Sequence, residues 1–198
     1  MTSLFFINKQ PVAKLAGVVM CGGKSQRMGT DKGLIPINNT CWAGFMGEKL
    51  SAVCLPFYVS VNSSQIEKYK SLFSNEQLVV DCVEINGPLA GLISIHSQYP
   101  EKDLLLLACD MIDMQVETLD RLIRTYADEP IYDFYVYQNR NYAEPFCAIY
   151  TGRALKKLLQ NQEVSLLSNL SLQKVLNQFT TKRLDIFEPV SFNNHNTL

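Results

Sequence analysis

The segment Leu104-Leu105-Leu106-Leu107-Ala108 is apolar at every position. Successive side chains of an extended strand point to opposite faces, so this run cannot lie on a sheet with one face in water. It belongs at the centre of a sheet covered on both sides, and such covering is done by helices. The rest of the chain supplies them. Strands are predicted at Leu15–Met20, Phe57–Val61, Leu78–Asp81, Leu104–Ala108, Phe134–Tyr137 and Phe146–Tyr150. Between and after them, helices are predicted at Ala43–Val53, Gln65–Phe73, Leu89–Gln98, Val116–Tyr126, Ala154–Leu159 and Leu172–Gln178. Strands alternating with helices make βαβ units and a mostly parallel sheet. The expected fold is an α/β, three-layer α/β/α sandwich, Rossmann-like in outline. Its 198 residues suit a single domain, with residues 1–14 as an N-terminal extension and the polar stretch within Leu184–Leu198 as loop.

Composition narrows the function classes. A formal net charge of −1 gives no basic field for nucleic acid or for an anionic membrane surface. The apolar patch in MTSLFFINKQPVAKL lacks a basic region ahead of it and is too short to span a bilayer, so a cytoplasmic location is expected. That location suits reduced thiols. The six cysteines include no C-x-x-C pair, and Cys54, Cys109 and Cys147 lie in apolar runs, where a thiol behaves as a small hydrophobe. Zinc is not expected, because His96 and His195 stand near no cysteine pair.

In an open α/β sheet, ligands bind outside the carboxyl ends of the strands. Four such ends are polar or glycine-rich here: Met20 leads into CGGKSQRMG, Val61 into NSS, Val80 into Asp81, and Ala108 into Cys109-Asp110. The first is the most informative. Residues 22 to 33 combine four glycines with Lys24, Arg27 and Lys32. Glycines let successive backbone amides approach phosphate oxygens, and the cations supply charge. A phosphate cradle and an exposed basic turn both remain open on the residues alone. Two familiar loops are excluded: Val18 stands where a Walker A motif needs glycine, and there is no G-x-G-x-x-G.

The run V-V-M-C-G-G-K-S-Q-R-M-G-T-D-K-G resembles the L-A-G-G-x-x-x-R-M-G-x-D-K signature of the MobA-like nucleotidyltransferases, the molybdenum cofactor guanylyltransferases. Further blocks follow in the same order: V-S-V-N at 59–62, V-D at 80–81, G-P-L-A-G-L at 87–92, A-C-D-M at 108–111, E-P-F-C-A-I-Y at 144–150 and N-N-H-N-T at 193–197. Departures are Met20-Cys21 in place of Leu-Ala, Ile112 in place of proline, and Asn38 to Trp42 in place of a G-x-P-L segment.

The resemblance implies a nucleotidyltransferase fold and transfer of GMP from GTP to Mo-molybdopterin, with Mg²⁺ as cofactor. Other proteins of molybdenum cofactor biosynthesis, or the receiving molybdoenzyme, are the implied protein partners. It assigns residues 15–112 to the nucleotide and 113–198 to the acceptor. Met20, Cys21, Gly22, Gly23, Lys32, Ser60, Asp81 and Asp110 are the implied nucleotide contacts. Asp110 is the implied metal ligand, and Lys32 and Arg27 are expected to stabilise charge. A plain reading of Asp110 is a cap for the helix near Gln115, although Asp113 is better placed for that. Gly87-Pro88-Leu89-Ala90-Gly91 reads as a turn into a helix N-terminus, an anion site. The resemblance places the acceptor at Gly87, Gly91, Asn194 and Asn196, with His195 as a bystander between the two asparagines and Glu144-Pro145 shaping a loop. A cytidylyl or sugar-phosphate transferase of the same fold, and a non-catalytic cofactor carrier, are the competing expectations.

Overall fold

In the computed structural model, which describes residues 13–22, 31–53, 55–82, 85, 87–140, 142–161, 167 and 170–195, the apolar run is the sheet's middle strand. The elements run β1 (Leu15–Met20), a hairpin of β2 (Pro36–Ile37) and β3 (Thr40–Cys41), α1 (Trp42–Ala52), β4 (Phe57–Val61), α2 (Ile66–Tyr69) and β5 (Leu78–Val80). Then follow α3 (Pro88–Gln98), β6 (Asp103–Ala108), α4 (Val116–Asp128), β7 (Phe134–Asn139), β8 (Tyr142–Tyr150), α5 (Gly152–Asn161), α6 (Leu172–Gln178) and β9 (Thr181–Asp185).

The seven-stranded sheet has the order β5-β4-β1-β6-β8-β7-β9. Within it β5, β4, β1 and β6 are mutually parallel, β8 is antiparallel to both its neighbours, and β9 is parallel to β7. The mostly parallel sheet expected from the alternation is therefore present.

Each strand divides its side chains between two cores, as its geometry requires. Leu105 and Leu107 join Leu15 and Val19 in a core roofed by Ala43, Met46 and Leu50 of α1 and by Leu119 and Leu122 of α4. Leu104 and Leu106 join Val18 and Met20 beneath Leu89, Leu92 and Ile93 of α3, Leu155 and Leu158 of α5, and Val175 of α6. These are the three layers. Local signals set several boundaries. Gly87 takes φ 79°, a conformation costly for other residues, and Pro88 then opens α3 with a preset φ and no N–H to satisfy. The Ser171 hydroxyl caps α6 by accepting from the Lys174 amide.

Three expectations change. The helix predicted over Gln65–Phe73 is only Ile66–Tyr69. Two elements near the C-terminus are additional to the predicted ones: β9, which ends at Asp185, and a 3-10 turn over Pro189–Phe192. β9 carries charge and buries only Leu184, as an edge strand can. Glu144-Pro145 lies inside β8 rather than in a loop before it. Of the described cysteines, Cys21, Cys41, Cys82, Cys109 and Cys147 are free thiols, and Cys54 lies outside the described residues. Among the described residues no helix is long and apolar enough to cross a membrane.

Candidate active site

From β1 the chain builds outward to β4 and β5, then returns to the other side of β1 to lay down β6. Where strand order reverses in this way, the loops leaving neighbouring strands diverge and open a crevice at their carboxyl ends. Met20 and Ala108 are register partners, and the Cys109 amide donates to the Met20 carbonyl at 3.2 Å, so both loops leave from one level. A cavity of about 370 Å³ opens there, lined by Met20, Cys21, Gly22, Lys32, Pro88, Ala108, Cys109, Asp110, Phe146 and Asn194. That is within the size range of small-molecule sites.

Lys32 and Asp110 meet at the cavity. The Lys32 ammonium donates to Asp110 Oδ2 at 2.9 Å, and both side chains are largely covered, at 18% and 17% exposure. Asp110 Oδ1 takes no hydrogen bond among the described residues. A carboxylate that lines a cavity and has an oxygen to spare is a fit ligand for a hard cation such as Mg²⁺, which commonly takes one or two carboxylates and completes its shell with phosphates and water. Among the described residues there is no cluster of three or more His, Cys, Asp or Glu, so no all-protein metal cage is built. The Cys21 thiol also lines the cavity, but burial first of all pushes its pKa well up, which keeps it a thiol rather than a soft anionic ligand.

A second carboxylate stands at the end of β5, two strands out from β1 on the side away from β6. Asp81 follows β5 and accepts from the buried Ser60 hydroxyl at 2.9 Å. Burial raises its pKa above the usual carboxylate range, with the Ser60 bond opposing that shift. Two glycines make room around this pair. A Cβ on Gly22 would lie 2.9 Å from Asp81 Oδ2, and one on Gly91 would lie 2.3 Å from the Ser60 hydroxyl. Gly22 and its neighbour Cys21 both donate their amides to the Ser60 carbonyl at 3.0 Å, which bends the end of β1 toward β4.

The opposite rim is held by the C-terminal segment. Asn194 lines the cavity, and the His195 amide donates to the Asp110 carbonyl at 3.1 Å. The His195 ring meets Asp113 Oδ2 at 2.9 Å, and the Asn193 amide donates to the same oxygen at 3.2 Å. These bonds, His195 foremost, hold the Asp113 carboxyl below its usual pKa. Asp113 is thus not the cap of α4, whose N-cap is Gln115 without a side-chain bond. Its carboxylate is turned to the tail instead, and His195 is a strut. Lys49 of α1 stiffens the same turn by donating to the Ile112 and Met114 carbonyls.

The family model of the MobA-like NTP transferase domain matches residues 17–181. The chain belongs to that family. It is a nucleotidyltransferase by that membership. A molybdenum cofactor biosynthesis bifunctional protein of Synechocystis sp. is 28% identical over 152 residues, 77% of this chain and 43% of that protein, so the chain spans less than half of that relative. A molybdenum cofactor guanylyltransferase of Campylobacter jejuni is 26% identical over 149 residues, 74% of this chain and 75% of that one. Molybdopterin-guanine dinucleotide biosynthesis protein A from Archaeoglobus fulgidus, a crystal structure, superposes with a TM-score of 0.72 over 92% of both chains at 20% identity. At that identity the likeness speaks for the fold.

The structure gathers Met20, Cys21, Gly22, Lys32, Asp110 and Asn194 around one cavity. Ser60 and Asp81 stand behind Gly22, and Gly87 immediately precedes the lining residue Pro88. Gly91 is buried within α3 and faces Ser60 and Met20. Gly23, Arg27 and Asn196 lie outside the described residues. Phe146 is a lining residue that sequence reasoning missed. Val136 pairs with Ala148 but Gln138 pairs with Ala143, so residues 144 to 147 of β8 bulge opposite Tyr137. Bulges re-aim side chains beside sites. The available signal was Pro145, which has no backbone N–H to give to a ladder and directly precedes the predicted strand Phe146–Tyr150.

Proposed function

We propose that the protein transfers GMP from GTP to the phosphate of Mo-molybdopterin, giving a guanine dinucleotide and pyrophosphate. The contact between Lys32 and Asp110 at the switch-point cavity carries this reading, because it brings a cation and a carboxylate together at one opening of about 370 Å³. The printed activity of the Campylobacter jejuni relative, a molybdenum cofactor guanylyltransferase, supports the acceptor in this reading. The nucleotide belongs to the half formed by residues 15–112 and the acceptor to residues 113–198.

The acceptor phosphate oxygen attacks the α-phosphorus in line as the bond to the β-phosphate oxygen breaks, and no protein nucleophile is needed. Asp110 and the triphosphate oxygens would hold Mg²⁺. When bound, that ion supplies charge neutralisation on the α-phosphate and the departing pyrophosphate. Lys32 contributes a fixed positive charge to the same oxygens. Asp81 serves the base: guanine presents adjacent N1–H and N2–H donors to a carboxylate, whereas cytosine offers only its amino group. The Ser60 bond orients that carboxylate.

The test is pyrophosphate release with GTP, ATP, CTP and UTP, each with and without Mo-molybdopterin. Release with GTP that depends on both acceptor and Mg²⁺ is expected. Preference for CTP would replace the guanylyl assignment by a cytidylyl one, and binding without release would make the protein a carrier.

A further inference from the structure

Lys32 is the first residue of a single 3-10 turn, Lys32–Leu34, and one turn has little stability of its own. Something outside it must fix its direction. Asp31 does part of this by accepting from the Gly33 amide at 3.2 Å, capping its own turn. The Asp31 carboxylate is then held from elsewhere. The Tyr69 hydroxyl donates to Oδ1 at 2.8 Å, and the Gln65 side-chain amide donates to Oδ2 at 2.7 Å.

Gln65 reaches further than this one bond. Its Nε2 also donates to the Cys21 carbonyl at 3.1 Å, and its Oε1 accepts from the Asn62 amide at 2.9 Å. Both amide hydrogens and the amide oxygen are used, and the bonding fixes the orientation, since a flipped amide would set donor against donor at Asn62. One buried side chain therefore joins the end of β1, the end of β4 and the turn that carries Lys32. Tyr69 closes the same turn from above: a Cβ on Gly33 would lie 2.1 Å from its hydroxyl, so the backbone at 33 runs against the ring. Neither Gln65 nor Asp31 lines the cavity.

We infer that Gln65 is a positioning residue: through Asp31 it sets the direction of the Lys32 side chain toward Asp110 and the triphosphate. Without it, Asp31 loses a buried donor, the turn is released from both strand ends, and the Lys32 ammonium spends part of its time away from the site. The inference rests on the proposed role of Lys32 in triphosphate binding.

The test is a double-mutant cycle on GTP affinity with Mg²⁺, read by titration calorimetry on the full chain. The variants are Gln65→Leu, Lys32→Ala and the pair. Gln65→Leu is expected to weaken GTP by about tenfold, as loss of a well-placed charged contact does. In the Lys32→Ala background the same change should have no further effect beyond about twofold. Equal losses in both backgrounds would overturn the inference, because Gln65 would then act on the loop and not through Lys32. If Lys32→Ala alone leaves affinity unchanged, the role given to Lys32 fails instead. Should Gln65→Leu not fold, Tyr69→Phe replaces it. That variant keeps the packed ring and removes one donor to Asp31, and it is held to the same non-additivity.

Discussion

Lys32 and Asp110 stand 78 positions apart in the chain and meet at 2.9 Å, ammonium to carboxylate, across the carboxyl ends of β1 and β6. The sheet order makes this meeting possible, because β1 and β6 are neighbours although β4 and β5 of the same sheet intervene in sequence between them. One residue opens the 3-10 turn that follows the glycine-rich segment, and the other lies two residues past the end of β6.

Loss of the Lys32 charge should act on the nucleotide. Lys32→Ala is expected to weaken GTP binding by roughly 1.5–3 kcal/mol, the worth of a hydrogen bond to a charged group. Calorimetric titration with Mg·GTP measures this directly. The melting temperature should move little, since Lys32 sits at a cavity rim and not in either core. An unchanged GTP affinity would remove the lysine from the triphosphate.

Much of the fold was legible in the sequence. The apolar run at 104–108 forced a two-sided sheet, and of the four polar strand ends those after Met20 and Ala108 line the cavity while those after Val61 and Val80 do not. Gly22, Lys32, Asp81 and Asp110 were named as site residues by the family resemblance. What was not legible depends on contacts between distant segments. Nothing local tells that Asp113 turns toward His195 and Asn193 instead of capping α4, because a capping aspartate has the same spacing. Gln65 likewise reads as one polar residue among several, and its bonds to Cys21 and Asp31 exist only once distant segments are brought together. β9 escaped because an edge strand need not be apolar.

Asp81 should trade stability for recognition. Its pKa is raised in the folded protein, so between the ordinary aspartate pKa and the raised value the native state binds more protons than the unfolded chain. Stability therefore falls as pH rises through that window, and the full cost of the buried charge is present above it. Asp81→Asn keeps the acceptor for Ser60 and removes the charge. Thermal melts should show the variant at least as stable as the native protein near neutral pH, with the advantage vanishing toward acid, while GTP binding falls by an order of magnitude or more. A variant less stable at neutral pH would contradict the burial cost.

The tail should govern the acceptor. His195→Ala removes the ring bond to Asp113 but keeps the backbone amide that reaches the Asp110 carbonyl. A hydrogen bond at a half-exposed position is worth about 0.5–1.5 kcal/mol, which is up to about tenfold in acceptor use. The expected result is a raised KM for Mo-molybdopterin with GTP affinity intact. Weakened GTP binding with an unchanged acceptor KM would place the tail on the nucleotide side.

The chemistry itself is decided at Asp110. Asp110→Asn preserves the side chain's shape and a ligating oxygen, and it removes the negative charge that a hard cation needs. The residue lies at a strand end facing the cavity, so the fold should survive, as circular dichroism and the melting temperature will show. Metal stabilisation of the reacting phosphates is worth several kcal/mol and each ~1.36 kcal/mol is a factor of ten in rate. Mg²⁺-dependent pyrophosphate release from GTP in the presence of Mo-molybdopterin should therefore fall by two or more orders of magnitude in the folded variant. A folded Asp110→Asn protein that turns over at near the native rate would mean that the metal is held elsewhere and that this carboxylate is not part of the reaction.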